Sequence, residues 1–256
     1  MQGADLSFAF SQPRLQSRFG GRPAAADWRR LEAIQDTGVR LQAIREGAFG
    51  SWVSGLGAAS SVEQIERRLR EGWMQAVDEV AGWQPRRWQA AMRWLGWLPY
   101  LPALQKLARG GRPRHWMRND PVLAGIVAGD PRERRGKLEG TPLEPLISGF
   151  DEQVDVAGAW TRHWRSLWPD PSRDTPLLGL EGAFREHLKR LADLPETSGS
   201  EQELSRLEGL LRRSFRHHPL SAVACTAYLG LLALDALRLR GALVTGALRE
   251  RGSVAR

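Results

Sequence analysis

Cysteine is almost absent from this chain, since Cys225 is the only one among its 256 residues. A single cysteine excludes an internal disulfide and any metal centre built from several thiolates, and it favours a reducing compartment. Strand patterns are absent too, because no extended run alternates β-branched and polar residues, and Gly, Pro and Ser cluster between helical periods. The sequence therefore predicts an all-α fold, a multi-helix bundle of roughly eight to eleven helices.

The chain begins without the features of a secretory signal peptide. Residues 1–5 carry no basic side chain, and Ser7, Ser11 and Pro13 interrupt the first apolar stretch. We therefore expect a cytoplasmic protein. The longest apolar run, residues 220–234, is shorter than the roughly twenty apolar residues that span a bilayer, so it predicts a buried core helix.

Positive charge is in excess, with 37 basic against 29 acidic residues and a formal net charge of +8. Such an excess suits a nucleic acid or an anionic membrane surface, because clustered cations release counterions from phosphates. However, only Lys106, Lys137 and Lys189 are lysines. The surplus of Arg, together with Ala, Gly, Leu and Trp, is more typical of coding bias than of a phosphate-binding face.

Two basic segments are the candidates for a contact surface. The first holds Arg109, Arg112 and Arg114 beside His115 and Trp116, where an indole could stack on a base. Neither segment belongs to a recognisable helix-turn-helix or RNA-binding module, so nucleic acid is not the favoured partner. We take Arg109, Arg112 and Arg114 as candidate partner-binding residues. The second segment is interleaved with acids and is expected to be solvated loop charge: Arg132, Arg134, Arg135 and Lys137.

No catalytic, cofactor-binding or metal site can be recognised in the sequence. The histidines do not pair with another ligand at the i, i+4 spacing of a helical metal site, and no Gly-rich segment matches a nucleotide-binding loop. Cys225 lies in an apolar run, which favours a core residue over a nucleophile. We therefore expect a protein that is not an enzyme and has no small-molecule substrate. The histidines considered are His115, His163, His187, His217 and His218.

The clearest single helix begins near Ser61 and continues to about Ala81, with apolar residues every three or four positions. Its start carries a capping-box pattern, formed either by Ser60 with Glu63 or by Ser61 with Gln64. Residues 129–148 are charged and contain Pro and Gly, which indicates an exposed connection. This places one helical subdomain at residues 1–128 and another at residues 149–256.

Several short patches together resemble a known family. The first patch is an aromatic, Arg-containing segment at the start of the chain. The second is the start of the helix at Ser61. In the third, residues 100–110 end in Arg-Gly but lack the acidic and amide residues of the family motif. The closing helix resembles the family best, with Asp235 in the acidic place, Leu239-Arg240 in the Leu-Arg place, and Arg238 where the family usually has Asn. The patches are Phe8-Ala9-Phe10 with Arg14-Leu15-Gln16-Ser17-Arg18, Ser61-Val62-Glu63-Gln64-Ile65-Glu66, Leu107-Ala108-Arg109-Gly110, and Ala227-Tyr228-Leu229.

That family is the V-type and archaeal-type ATPase subunit called d in eukaryotes and C in prokaryotes. The resemblance covers roughly the first 110 and the last 40 residues, and the chain is shorter than typical members, which have three pseudo-repeated helical domains. It implies a non-catalytic rotor adaptor in proton or ion transport, which links the central stalk to the membrane rotor ring at the inner face of the cell membrane. Two alternatives remain open: a helical interaction module or regulator with an unrelated partner, and a basic nucleic-acid-binding protein.

Overall fold

A computed structural model describes residues 6–127, 129–151, 155–170, 175–193 and 200–254. All regular secondary structure in these residues is helical, which confirms the all-α fold class. The helices are more numerous than the sequence indicated, because short ones without a repeating apolar pattern form between the long ones. The twelve α-helices are α1 (Ser11–Gly20), α2 (Ala25–Ala33), α3 (Thr37–Arg45), α4 (Val62–Trp83), α5 (Arg86–Trp94), α6 (Leu101–Ala108), α7 (His115–Arg118), α8 (Ala124–Val127), α9 (Val156–Ser166), α10 (Thr175–Asp193), α11 (Ser200–His217) and α12 (Ala222–Val254).

The chain forms two compact units. Unit 1 comprises residues 1–92 and 170–256, and unit 2 comprises residues 93–169. This division differs from the one expected from sequence, because residues 129–148 lie within unit 2 instead of connecting two subdomains. The physical reason is that this stretch folds into 3₁₀ turns whose leucines are buried. These leucines are Leu138, Leu143 and Leu146.

Unit 1 is organised around α12, which contacts α4, α11, α10 and the three N-terminal helices. All eight residues from Ala222 to Leu229 are buried, as expected for a helix that is apolar on every face. By length and composition alone, the segment Ala222–Gly246 could cross a membrane, and 72% of its most apolar window is buried within the fold. A core helix passes the same test, so the segment is weak evidence for a membrane span.

Helix α4 begins with the capping box that the sequence predicts. The backbone N–H of Gln64 donates to Ser61 Oγ over 3.2 Å, and the N–H of Ser61 donates to Gln64 Oε1 over 2.7 Å. These two bonds satisfy backbone donors that the helix itself leaves without partners. Further along α4, Gly72 lets the helix approach Trp52, since a Cβ atom at this glycine would lie 2.9 Å from the indole ring.

The core of unit 2 contains a row of indole rings. Trp160, Trp164 and Trp168 recur every four residues along α9 and just past its end, with ring centroids 5.6 Å and 5.0 Å apart. Trp94 stacks on Trp160 at 6.4 Å, and its Nε1–H donates to the Trp160 carbonyl over 3.1 Å. Offset and edge-on indole pairs of this kind pack closely, so the row fixes α9 against the start of the unit.

Candidate functional site

In the part of the chain that the structure describes, the side chains that most often perform chemistry do not form a metal-binding group. Among the residues that the structure describes, no set of three or more His, Cys, Asp or Glu side chains could hold a metal ion. Cys225 is fully buried, and burial raises the pKa of its thiol far above the ordinary value. Burial lowers the pKa of His163, whose ring meets the edge of Trp94 at 4.4 Å. A buried thiol without a neighbouring base is a poor nucleophile.

The first basic segment follows the end of α6, which closes with a Schellman motif. Gly111 N–H donates to the Lys106 carbonyl over 2.9 Å, and Gly110 N–H donates to the Leu107 carbonyl over 3.1 Å. Gly110 has a φ of +74°, a left-handed conformation that glycine adopts without steric cost. This reversal sends residues 111–114 away from the helix and exposes Arg109, the residue that caps it.

Arg134 is buried, so its assignment to solvated loop charge is wrong. The residue is only 3% exposed, and its Nη1 donates to the Leu107 carbonyl over 3.1 Å and to the Gly111 carbonyl over 2.9 Å. These oxygens belong to the last turn of α6 and the loop after it, where carbonyls lack helical partners. The Nε atom of Arg134 is buried and has no hydrogen-bond partner among the residues described.

A cavity of about 440 Å³ lies beside this helix end, and it is referred to below as the basic cavity. The charged residues among the described residues that line it are Arg112, Arg118 and Arg134. The remaining lining residues are Gly110, Pro113, Ala124, Val127 and Gly129.

The structure divides the candidate partner-binding residues. All three are exposed, and of them only Arg112 lines the basic cavity. Arg118 and Arg134 also line it and were not among these three. The only sequence signal that could have pointed to Arg118 is its position at the end of the same basic segment.

The remaining cations of the second segment behave largely as expected. Arg135 Nε lies 2.8 Å from Asp151 Oδ1, with both side chains half exposed, and Lys137 Nζ lies 3.5 Å from Glu133 Oε2. Arg132 is exposed. Local acids therefore neutralise much of this segment, and an extended phosphate-binding surface does not form from it.

A second charged cluster lies in unit 1, and its centre is little exposed while its two outer arginines, Arg212 and Arg238, are partly exposed. Arg22 forms a bidentate ion pair with Asp235, in which Nε donates to Oδ2 over 2.6 Å and Nη2 donates to Oδ1 over 2.9 Å. Glu208 accepts from Arg212 and from Arg238, each over 2.8 Å. The cluster joins the segment after α1 to α11 and α12, and this set of five side chains is called the Arg22 cluster below.

The two carboxylates of the Arg22 cluster respond differently to their surroundings. Burial raises the pKa of Asp235 above its ordinary value, and hydrogen bonding to Arg22 only partly opposes this. Burial also acts to raise the pKa of Glu208, but Arg212 and Arg238 together outweigh it and lower that pKa. Both carboxylates have two arginines nearby, but Asp235 is fully buried, whereas Glu208 keeps some access to solvent and accepts hydrogen bonds from both of its arginines.

Comparison with protein-family models, with curated proteins and with solved structures gives no match to this chain. The Arg22 cluster is saturated by internal pairs and holds helices together. The basic cavity has open volume and positive charge without an ion-pair partner in the described part of the chain, and the described residues that line it include no acid, base or nucleophile.

Proposed function

We propose that this chain is a non-catalytic rotor adaptor of a V-type or archaeal-type rotary ATPase, which links the central stalk to the membrane rotor ring. The single observation that carries the proposal is the ion pair between Arg22 and Asp235, which are 213 residues apart in the chain. Asp235 occupies the acidic place of the closing motif, and Arg22 follows the opening segment. The two ends of the chain that resemble the family therefore meet in one unit.

Other contacts support the same pairing of the chain ends. Gln12, in the opening segment, accepts a hydrogen bond from the Leu220 N–H over 2.9 Å, and α1 packs against α12. Leu15 and Tyr228, both within the resembling patches, are buried. The chain departs from the family in forming two compact units instead of three domains. The proposal is therefore for a reduced adaptor.

A part that transmits torque must resist deformation, and a close-packed helical body does so because protein interiors have low compressibility. Helix α12 has 33 residues, which corresponds to a length of about 50 Å, and five other helices of unit 1 besides α4 pack along it. In this role the protein would lie at the cytoplasmic face of the cell membrane, held there through its partners. Its net charge of +8 would favour acidic partner surfaces and anionic headgroups.

The test is copurification from the source cells at natural expression level. The tagged chain is extracted from membranes in mild detergent, and bound proteins are quantified by mass spectrometry. We expect enrichment of stalk and rotor-ring subunits of a rotary ATPase. The double variant Arg109→Glu, Arg114→Glu should reduce this enrichment several-fold, because both side chains are exposed candidates for the contact.

A matched control carries the same charge change elsewhere, at the exposed residues Arg29 and Arg132. We expect Arg29→Glu, Arg132→Glu to retain the partners. Reproducible recovery of one protein unrelated to rotary ATPases would contradict the rotor-adaptor proposal and would favour the alternative of a helical interaction module. Recovery of nucleic acid in a salt-sensitive manner would favour the nucleic-acid alternative, and a chain that elutes alone would contradict all three.

A further inference from the structure

Arg134 is a buried cation that has no carboxylate partner among the described residues. Arg134 is 3% exposed, forms no ion pair among the residues described, and leaves its buried Nε without a hydrogen-bond partner. A buried charge is unfavourable unless it is paired. The carbonyls at the end of α6 compensate part of it, since a helix C-terminus corresponds to about half a negative charge. Positive charge therefore remains for a ligand to neutralise.

The basic cavity concentrates this positive charge. Arg112 and Arg118 line it together with Arg134, and neither of them has an ion-pair partner in the described part of the chain. Among the described residues that line the cavity, none is an acid. The nearest acids along the chain are already engaged, since Asp120 Oδ1 accepts from the Val122 and Leu123 N–H groups and Glu133 pairs with Lys137.

The walls of the basic cavity leave room for more than an inorganic ion. Gly110 and Gly129 have φ values of +74° and +78° and contribute no side chains, while Ala124 and Val127 give an apolar surface. The volume of about 440 Å³ falls within the range of small-molecule sites, roughly 300–1,000 Å³. The guanidinium fork matches the oxygens of phosphate, with several donors fixed in one plane.

We propose that the basic cavity binds a soluble phosphate monoester. The phosphate lies among the three arginines, and the organic group packs against the apolar wall. The described lining residues include no side-chain nucleophile or proton acceptor, so the proposed role is binding of the ester without its transformation. This binding role is tested separately from the rotor adaptor, because its variants change Arg112 and Arg118, which line the basic cavity, whereas the adaptor test changes Arg109 and Arg114, which do not.

Isothermal titration calorimetry of the full chain tests this directly. The probes are glycerol 3-phosphate, glucose 6-phosphate and adenosine 5′-monophosphate, with inorganic phosphate as competitor. We expect at least one ester to bind with one molecule per chain and to be displaced by phosphate. Arg112→Gln and Arg118→Gln should each weaken that binding about ten-fold, since each removes a charge-assisted hydrogen bond.

Arg109→Gln and Arg114→Gln are the matched controls, because they remove the same charge from the same segment without altering the cavity lining. Binding in these variants should change less than about two-fold, because both side chains lie outside the described lining of the cavity and solvent screens their charges. Arg134 is left intact because its loss could unfold the turn after α6, and the thermal midpoint of each variant checks its folding.

Three outcomes would overturn the proposal. They are absence of saturable binding for all three esters at millimolar concentration, equal losses in the controls and the cavity variants, and binding only to phosphatidylcholine vesicles that contain phosphatidic acid. The last result would assign the basic cavity to a lipid headgroup. Failure of the rotor adaptor in copurification would leave these binding measurements unaffected, so the two proposals fail separately.

Discussion

At the scale of single residues, three arginines with little exposure donate to backbone carbonyls. Arg22 donates to the Leu231 carbonyl, and Arg40 donates to the carbonyls of Leu31 and Ala242. Arg134 donates to the Leu107 carbonyl at the end of α6. Guanidinium suits such positions because it has five planar donors and is weakly hydrated, whereas an ammonium group has three donors and binds water strongly. At these positions, arginine therefore has a structural use beyond any coding bias.

Glu208→Gln should remove an acid-sensitive part of the stability. The pKa of Glu208 is lowered in the folded protein, so the unfolded chain takes up a proton at higher pH than the folded chain does. The stability from this carboxylate is complete above its ordinary pKa of 4.5 and is lost as pH falls through the folded value. We expect the variant to be less stable than the original chain by about 1–2 kcal/mol near neutral pH, in urea unfolding.

That difference should shrink as the pH is lowered from about 6 to about 3.5. The original chain and the variant must be compared at each pH, because Asp235 also titrates in both. Burial raises the pKa of Asp235, so the stability that this residue contributes falls as pH rises through the range above 3.8, opposite to the change at Glu208. A stability difference that stays constant over this range would show that Glu208 does not titrate as its contacts require.

Gly72→Ala should destabilise unit 1. The new Cβ would lie 2.9 Å from Trp52, and an indole held at 6% exposure has little freedom to move aside. We expect a loss of about 1–3 kcal/mol in the free energy of unfolding, as for other overpacked cores. Gly82→Ala on the same helix is the control, because no atom lies within 4 Å of its added Cβ. It should gain up to about 1 kcal/mol from helix propensity, and equal effects in both variants would refute the close approach at Trp52.

At the scale of elements, the long helices could be predicted from sequence and the short ones could not. Helix α4 carries both a cap and a sustained apolar period, and its start at Val62 follows directly from Ser61. Helices α7 and α8 have four residues each, too few for a period to be recognised. Residues 129–148 were expected to be an exposed connection because they are charged and contain Pro and Gly. Their 3₁₀ turns instead bury leucines, at spacings that match no regular pattern and so could not be recognised.

The start of α4 offers a test by double-mutant cycle. Ser61→Ala should cost about 1 kcal/mol in the free energy of unfolding, because the Gln64 N–H loses its acceptor. Gln64→Ala removes the reciprocal bond to the Ser61 N–H. Since the two bonds position one another, we expect the double variant to lose less than the sum of the single variants, by about 0.5 kcal/mol or more. Strict additivity in denaturant titrations would indicate that the two bonds act independently.

At the scale of the whole molecule, the sequence predicts part of the candidate site only. Arg112 stands in an evident basic segment, but the contribution of Arg134 depends on tertiary structure. Flanking Glu133 and Arg135 made Arg134 resemble solvated charge, and nothing local indicates that it returns to Leu107 and is buried there. Buried charges of this kind cannot be recognised from composition, because their partners are backbone atoms far away in the sequence.

The pairing of the two chain ends has the same origin. Asp235 could be noticed as the first acid after a long apolar run, but its partner Arg22 is one of many arginines near the start. A buried ion pair contributes little net stability, because desolvation offsets much of the attraction, and its better-attested use is to fix one arrangement of the elements. In unit 1 that arrangement places the segment after α1 beside α11 and α12, which is the basis of the adaptor proposal.

The most direct test of the adaptor role is the size of the particle that contains this chain in its own cells. Membranes are extracted in mild detergent and resolved by native electrophoresis, with immunodetection of the chain and in-gel detection of ATP hydrolysis. We expect the chain in an assembly far larger than its own 28.6 kDa, at the position of the ATP-hydrolysing complex. Detection only at the size of the free chain, in every extract that retains an intact ATPase, would contradict it.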